Sequence, residues 1–233
     1  MCGRYASFTR LDEGPGLFDL DVVTDEVRGL SPSWNVAPTT TIPVIVERAD
    51  PHSREAHAAT WGLIPIWAKD PSIGSKMFNA RSETLAEKKS FAPSLKNKRA
   101  IIPADGYFEW MATDEGKQPH YVTRADGLPL AFAGLYSWWK NGADWVLSAT
   151  IITEEARQLA QLHHRAPVIL DRERFAPWLD PGLTDPLEAL ALLDQEPPEL
   201  RAVPVTTSVG KVGVNTPANI EPIGPPLEPA DRA

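Results

Sequence analysis

The chain begins Met1-Cys2-Gly3-Arg4, and Cys2 is the only cysteine among 233 residues. If Met1 is removed, Cys2 carries an α-amine and a thiol on one carbon skeleton. A free amine titrates near ~7.7–8.0 and a free thiol near ~8.5, so both are partly reactive at neutral pH. Such a 1,2-aminothiol condenses with an aldehyde to an imine and then closes on it as a thiazolidine. The plain alternative is an idle chain end. Four further features carry chemistry-bearing side chains. Asn79-Ala80-Arg81 precedes a predicted helix, where an arginine and the helix N-terminus suit an anion. Glu109 lies in the aromatic run Tyr107-Phe108-Glu109-Trp110, a setting for acid–base work if the side chain faces inward. His163-His164-Arg165-Ala166-Pro167 combines a proton shuttle with a phosphate contact, or simply caps a helix end with cations. Trp67 stands ahead of a basic stretch and can stack on an unpaired base, unless it packs in the core as most of the eight tryptophans should.

The elements that must position these groups are mostly strands. Thr41 to Glu47, His57 to Ile64, Arg99 to Ala104, Tyr107 to Trp110, Gln118 to Thr123, Leu128 to Trp138, Trp145 to Ile152 and Leu200 to Thr207 all read as strands. Short links between successive strands imply antiparallel pairing. Helices are predicted from Ser82 towards Pro93, from Thr153 to His163, and after Asp185-Pro186. Leu17, Phe18, Leu20 and Val27 suit part of another short helix. The fold class is α+β: a single domain with a mostly antiparallel, barrel-like sheet core and flanking helices. The domain spans residues 1–221, and residues 222–233 form a proline-rich acidic tail.

Composition bounds the function. The formal net charge of −8 argues against general coating of duplex DNA. Residues 76–99 nevertheless hold Lys76, Arg81, Lys88, Lys89, Lys96, Lys98 and Arg99 against Glu83 and Glu87, a locally basic face. No run of 18 apolar residues suggests a membrane span, and one cysteine excludes an internal disulfide or a cysteine zinc cluster. No metal or cofactor is expected.

Taken in order, Met1-Cys2-Gly3-Arg4-Tyr5, Trp34-Asn35-Val36-Ala37-Pro38-Thr39, Trp61-Gly62-Leu63-Ile64-Pro65, Asn79-Ala80-Arg81-Ser82-Glu83-Thr84, Ile102-Pro103-Ala104-Asp105-Gly106-Tyr107-Phe108-Glu109-Trp110 and His163-His164-Arg165-Ala166-Pro167 resemble the blocks of the SOS-response-associated peptidase family, also called abasic-site processing proteins. Val214-Asn215 resembles its closing motif. The family pattern usually has Met where this chain has Ala166. The resemblance implies a cytoplasmic DNA-damage protein, nucleoid-associated when bound to damaged DNA, whose partner is single-stranded DNA containing abasic sites. It implies a covalent thiazolidine crosslink through Cys2 after Met1 removal, and the family name adds a self-processing peptidase activity. Asn79 would position the N-terminal residue or the opened sugar, Arg4 and Arg81 would hold flanking phosphates, Glu109 would open the deoxyribose ring, and His163 would transfer protons. Two other readings stay open: an N-terminal-nucleophile cysteine amidohydrolase, and a non-covalent reader of single-stranded or modified DNA.

Overall fold

Tight hairpins organise the chain. The computed structural model describes residues 2–13 and 16–227. Its elements are β1 (Tyr5–Ser7), β2 (Val22–Val23), α1 (Asp25–Arg28), β3 (Ser33–Val36), β4 (Thr41–Ala49), β5 (His52–Trp61), β6 (Asn79–Arg81), α2 (Ala92–Asn97), β7 (Arg99–Ala104), β8 (Gly106–Thr113), β9 (Gly116–Arg124), β10 (Leu130–Asn141), β11 (Asp144–Glu155), β12 (Arg165–Pro167), α3 (Arg172–Leu179), α4 (Pro186–Ala191) and β13 (Leu200–Pro204). Ala49 pairs with His52, Thr113 with Gly116 and Asn141 with Asp144, so each of these three hairpins closes on two residues. The polar loop expected over 113–118 is therefore mostly strand.

Two sheets result. One runs β13-β9-β8-β1-β3; the other runs β12-β11-β10-β7-β4-β5-β2. In the second, β11 also pairs with β5 at Ser148↔Thr60 and Ala149↔Trp61, so β4, β5, β7, β10 and β11 form a closed ring. The fold is α+β and mainly antiparallel, as expected. The β11–β5, β11–β6 and β2–β5 pairings are parallel.

Strand alternation divides the core. One side of the ring (Ile45, Ile101, Ala133, Leu135, Ile152) packs on the helices through Leu95, Phe175 and Trp178. The other side (Ile42, Val44, Ile102, Phe132, Ala149, Ile151) meets Cys2 and, from the five-stranded sheet, Tyr5, Tyr107 and Val122. The outer face of that sheet (Ala6, Phe108, Tyr121) is covered by Val205 and Val209. Among the described residues no helix is long and apolar enough to cross a membrane.

Several local expectations are overturned. The segment from Thr153 is not a helix: β11 continues to Glu155, where it pairs with β12. Its β-branched run Thr150-Ile151-Ile152-Thr153 prefers a pleated surface, and partners on both flanks outweigh the capping signature. His163 and His164 therefore sit in a loop leading to β12, not at a helix end. Similarly, only a 3-10 turn (Ser82–Thr84) follows Arg81, and α2 begins at Ala92 with Pro93 in its first turn. Proline starts that helix rather than ending one, because its missing N–H costs nothing there. Asn79-Ala80-Arg81 is strand β6, so no α-helix N-terminus serves it. Of the helix expected within 11–30, only the turn α1 forms. Helix α3 was not expected. Asp185 caps α4 as anticipated, accepting from the amides of Leu187 and Glu188.

Arg99 leaves the basic face as well. It is buried and donates to the carbonyls of Leu95, Lys96, Trp178 and Asp180, capping the ends of α2 and α3. Residues 222–227 run along β13: Ile223 N–H reaches Pro204 O and Leu227 N–H reaches Ala202 O. The remainder of the expected tail, 228–233, lies outside the described residues, as does Met1.

Candidate active site at the N-terminal cysteine

Cys2 is fully buried between the two sheets, with Tyr5 and Tyr107 among its cluster. Pairing of β1 with β8 sets this up. Tyr5 lies opposite Tyr107, and Arg4 O accepts from Phe108 N–H at 2.9 Å. Continuing that register by two residues brings Gly3, and with it Cys2, alongside Glu109. Behind Cys2, Tyr5 packs edge-on against Trp61 at 5.1 Å and against Phe132 at 6.0 Å. Trp61 Nε1–H donates to Phe78 O at 2.8 Å, which fixes the backbone leading into β6. From β6, Asn79 Nδ2–H donates to Cys2 O at 2.8 Å. Asn79 Oδ1 is buried and has no hydrogen-bond partner among the described residues.

Burial pushes the Cys2 thiol far above the usual range, and the nearby Glu109 carboxylate pushes it further. The thiol expected to be partly ionised at neutral pH is therefore held as S–H. The surroundings, invisible in the linear chain, produce that difference.

Glu109 is buried on the inward face of β8, two residues from Tyr107. The opposite reading, an outward strand residue, does not apply. Tyr107, Glu109, His163 and Arg165 line one narrow crevice. His163 Nδ1 lies 2.9 Å from Arg165 N and 3.1 Å from Arg165 O, and its ring stacks on His164 at 4.4 Å between centroids. The structure thus brings Cys2, Asn79, Glu109 and His163 together.

The arginines divide. Arg4 donates to Asn35 Oδ1 at 2.7 Å and to the carbonyls of Val209 and Gly210. Asn35 in turn donates to the carbonyls of Val209, Lys211 and Val214, and Asn215 Oδ1 accepts from Trp34 N–H. The two motifs around Trp34 and Val214 interlock beside Arg4. Arg165 is buried and forked onto Glu83, with Nη1–Oε1 at 2.5 Å and Nη2–Oε2 at 3.1 Å. Arg81, at the end of β6, is exposed. Trp67 is 53% exposed on a separate loop with Lys69 and Lys76. That loop turns where Gly62 and Gly74 meet. Gly62 has φ +138°, and a Cβ there would strike the Gly74 carbonyl.

The residues missed in the sequence are Glu83, Thr153, Tyr107 and His120. Glu83 reads as a first-turn helix acid, and its partner lies 82 positions away. His120 is buried directly opposite Glu109 in the β8–β9 register, and burial lowers its pKa. Pairing the two strands through their short turn was the signal that would have found it.

The family model described as SOS response associated peptidase matches residues 1–212. A Bacillus subtilis (strain 168) protein named abasic site processing protein YoqW is 39% identical over 225 residues, covering 95% of this chain and 99% of that one. The Escherichia coli (strain K12) protein named abasic site processing protein YedK is 34% identical over 182 residues, 77% of this chain and 79% of its own. A crystal structure of a Bacteroides thetaiotaomicron protein superposes with a TM-score of 0.79 at 26% identity, covering 95% of this chain and 99% of that chain. A family match that runs through the strands of both sheets and through Cys2, Asn79, Glu109 and His163 leaves the kinship plain: the chain belongs to the SOS response associated peptidase family.

Proposed function

We propose that the protein captures abasic sites in single-stranded DNA as a covalent thiazolidine on Cys2 after loss of Met1. The observation that carries this reading is the placement of Cys2. Its carbonyl is tethered by Asn79, and Glu109 and His163 belong to the same cluster. The names of the relatives, which process abasic sites, support the same target.

The chemistry follows from what each group can hold. An abasic deoxyribose is mostly a closed hemiacetal. The Glu109 carboxylate takes the C1 hydroxyl proton and returns it to the ring oxygen, and the C1 aldehyde is released. The Cys2 α-amine adds to that carbon; His163 moves the protons that let water leave, giving an imine. The thiol, kept as S–H by burial, then adds across the imine. A C–S bond forms, and the thiol proton ends on nitrogen. The amine therefore acts first and the thiol second, because only a thiolate is strongly nucleophilic. The orphan Asn79 Oδ1 is available to accept from a sugar hydroxyl. Arg81 and Arg4 serve flanking phosphates, Arg165 closes the DNA-facing side behind His163, and Trp67 stacks on a neighbouring base. A self-processing peptidase step, removal of Met1, precedes capture. The domain doing this spans 1–221, and its place of work is where single strands are exposed, the nucleoid.

Intact mass tests the reading. The protein is mixed with a single-stranded oligonucleotide holding one abasic site, with Cys2→Ala alongside. A covalent adduct on chains that lack Met1, absent from the variant, is expected. No adduct on chains from which Met1 is cleanly gone sinks covalent capture, and glutamine hydrolysis by the same sample would then favour a cysteine amidohydrolase.

A further inference from the structure

From the ion pair that spans β11, we infer that Glu83 is a positioning residue for His163. Its carboxylate anchors the Arg165 guanidinium, and the Arg165 peptide in turn sets the orientation and tautomer of the His163 ring. The inference rests on the capture chemistry above for its kinetic consequence, but not for its structural one.

His163 sits in the loop before β12, where its amide bonds Leu159 O at 3.4 Å. β12 itself is three residues long. What fixes this short edge is the Arg165 side chain, which crosses β11. It donates to Thr153 O at 2.6 Å and Thr153 Oγ1 at 3.3 Å, then forks onto Glu83 beyond. Glu83 follows β6, the strand that carries Asn79 and Arg81 and pairs with β11 on its other flank. The clamp therefore ties the strand that tethers Cys2 to the loop that presents His163. A guanidinium this buried, deprived of its carboxylate, is an uncompensated charge and moves towards water.

The peptide it holds suits a ring that gains and loses a proton. Arg165 N–H donates to His163 Nδ1, so the neutral ring carries its hydrogen on Nε2. When the ring takes up a second proton, Nδ1–H can turn to Arg165 O, 3.1 Å away. One residue's N–H and C=O thus anchor both protonation states, provided Arg165 stays in place. Glu83 reaches neither Cys2 nor the crevice, so it acts only through Arg165.

The experiment compares wild type, Glu83→Gln and Glu83→Ala by two readouts. The first is the ring nitrogen NMR signature of His163 in the DNA-free protein. The second is crosslinking to an abasic single strand at saturating DNA, set against affinity for the same strand without the lesion. The wild type shows an acceptor Nδ1. Glu83→Ala, with no acceptor for Arg165, shows a mixture of tautomers, and Glu83→Gln, which keeps one oxygen, falls between. The saturating rate drops at least about tenfold in Glu83→Ala, as expected for a misplaced proton carrier, while affinity for the intact strand stays within about twofold. An unchanged His163 signature in Glu83→Ala overturns the inference. So does a loss confined to affinity, which would make Glu83 a keeper of the DNA-binding surface. If the wild type forms no adduct, covalent capture fails, and the ring signature alone then decides the role of Glu83.

Discussion

The crevice around Cys2 and the rim that bears Trp67 and Arg81 are built on opposite plans. In the crevice nearly every polar group is spoken for by the protein. Asn79 holds Cys2, and Arg165 holds Glu83 and Thr153. On the rim, Trp67 spends its indole N–H on a 3.4 Å bond to Lys89 O and otherwise faces solvent with Lys69 and Lys76 nearby. A group already bonded is pre-organised, and removing it disturbs geometry. A group waiting in water contributes only when a partner arrives. Crevice substitutions should therefore change rates, and rim substitutions should change affinities.

The largest effect expected is at Glu109. Replacing it with Gln removes the carboxylate that carries the proton for opening the sugar ring, so crosslinking at saturating DNA should slow by about 10²–10⁴-fold. Affinity for an undamaged single strand should stay near normal. Equal rates in both proteins would take Glu109 out of the chemistry and break the contrast at its centre. Next comes Trp67→Ala, which should cost ~1–3 kcal/mol of single-strand affinity through lost base stacking, with little dependence on salt. A slowed saturating rate with unaltered affinity would move Trp67 from rim to crevice. Arg81→Ala should weaken binding a few-fold and reduce the slope of log K against log salt by about 0.7, the signature of one lost phosphate contact on a single strand. An unaltered slope removes Arg81 from the phosphate path.

The smallest effect sharpens the boundary between the two regions. The Arg165 guanidinium holds the Glu83 carboxyl below its usual range. A depressed carboxyl contributes stability above its unfolded value near ~4.3, and that contribution fades as pH falls through the lower folded value. The Glu83 side chain is 50% exposed, so solvent screening limits the gain to about 0.5 kcal/mol. Thermal melts from pH 6 down to pH 3 should show Glu83→Gln losing this part of the acid sensitivity. Parallel curves for both proteins would show that the pair adds nothing to folding.

Much of the framework was legible because it is local. Strand β4, the β8–β9 and β10–β11 hairpins and the Asp185-Pro186 helix start follow from β-branched runs, short polar turns and capping. The helices expected after Ser82 and Thr153 failed for one reason. A cap signature describes what a segment favours alone, whereas Ile151 to Glu155 has a strand on each flank in the folded chain. The set Cys2, Asn79, Glu109 and His163 was legible as motif blocks, yet nothing in their spacing placed them side by side. His120 and Glu83 were passed over because their relevance is a matter of register and of an ion pair across β11.

By itself the sequence determined a lone cysteine at position 2, a strand-rich chain, and the ordered motifs that mark its family. Only the tertiary structure decided that the cysteine is buried beside a carboxylate and kept protonated. It alone also joined Glu83 to Arg165 and left Trp67 in water. The physical reason is that side-chain type and local propensity travel with the residue. Desolvation, charge proximity and strand partnership belong to neighbours that the closed ring and the five-stranded sheet bring in from far along the chain.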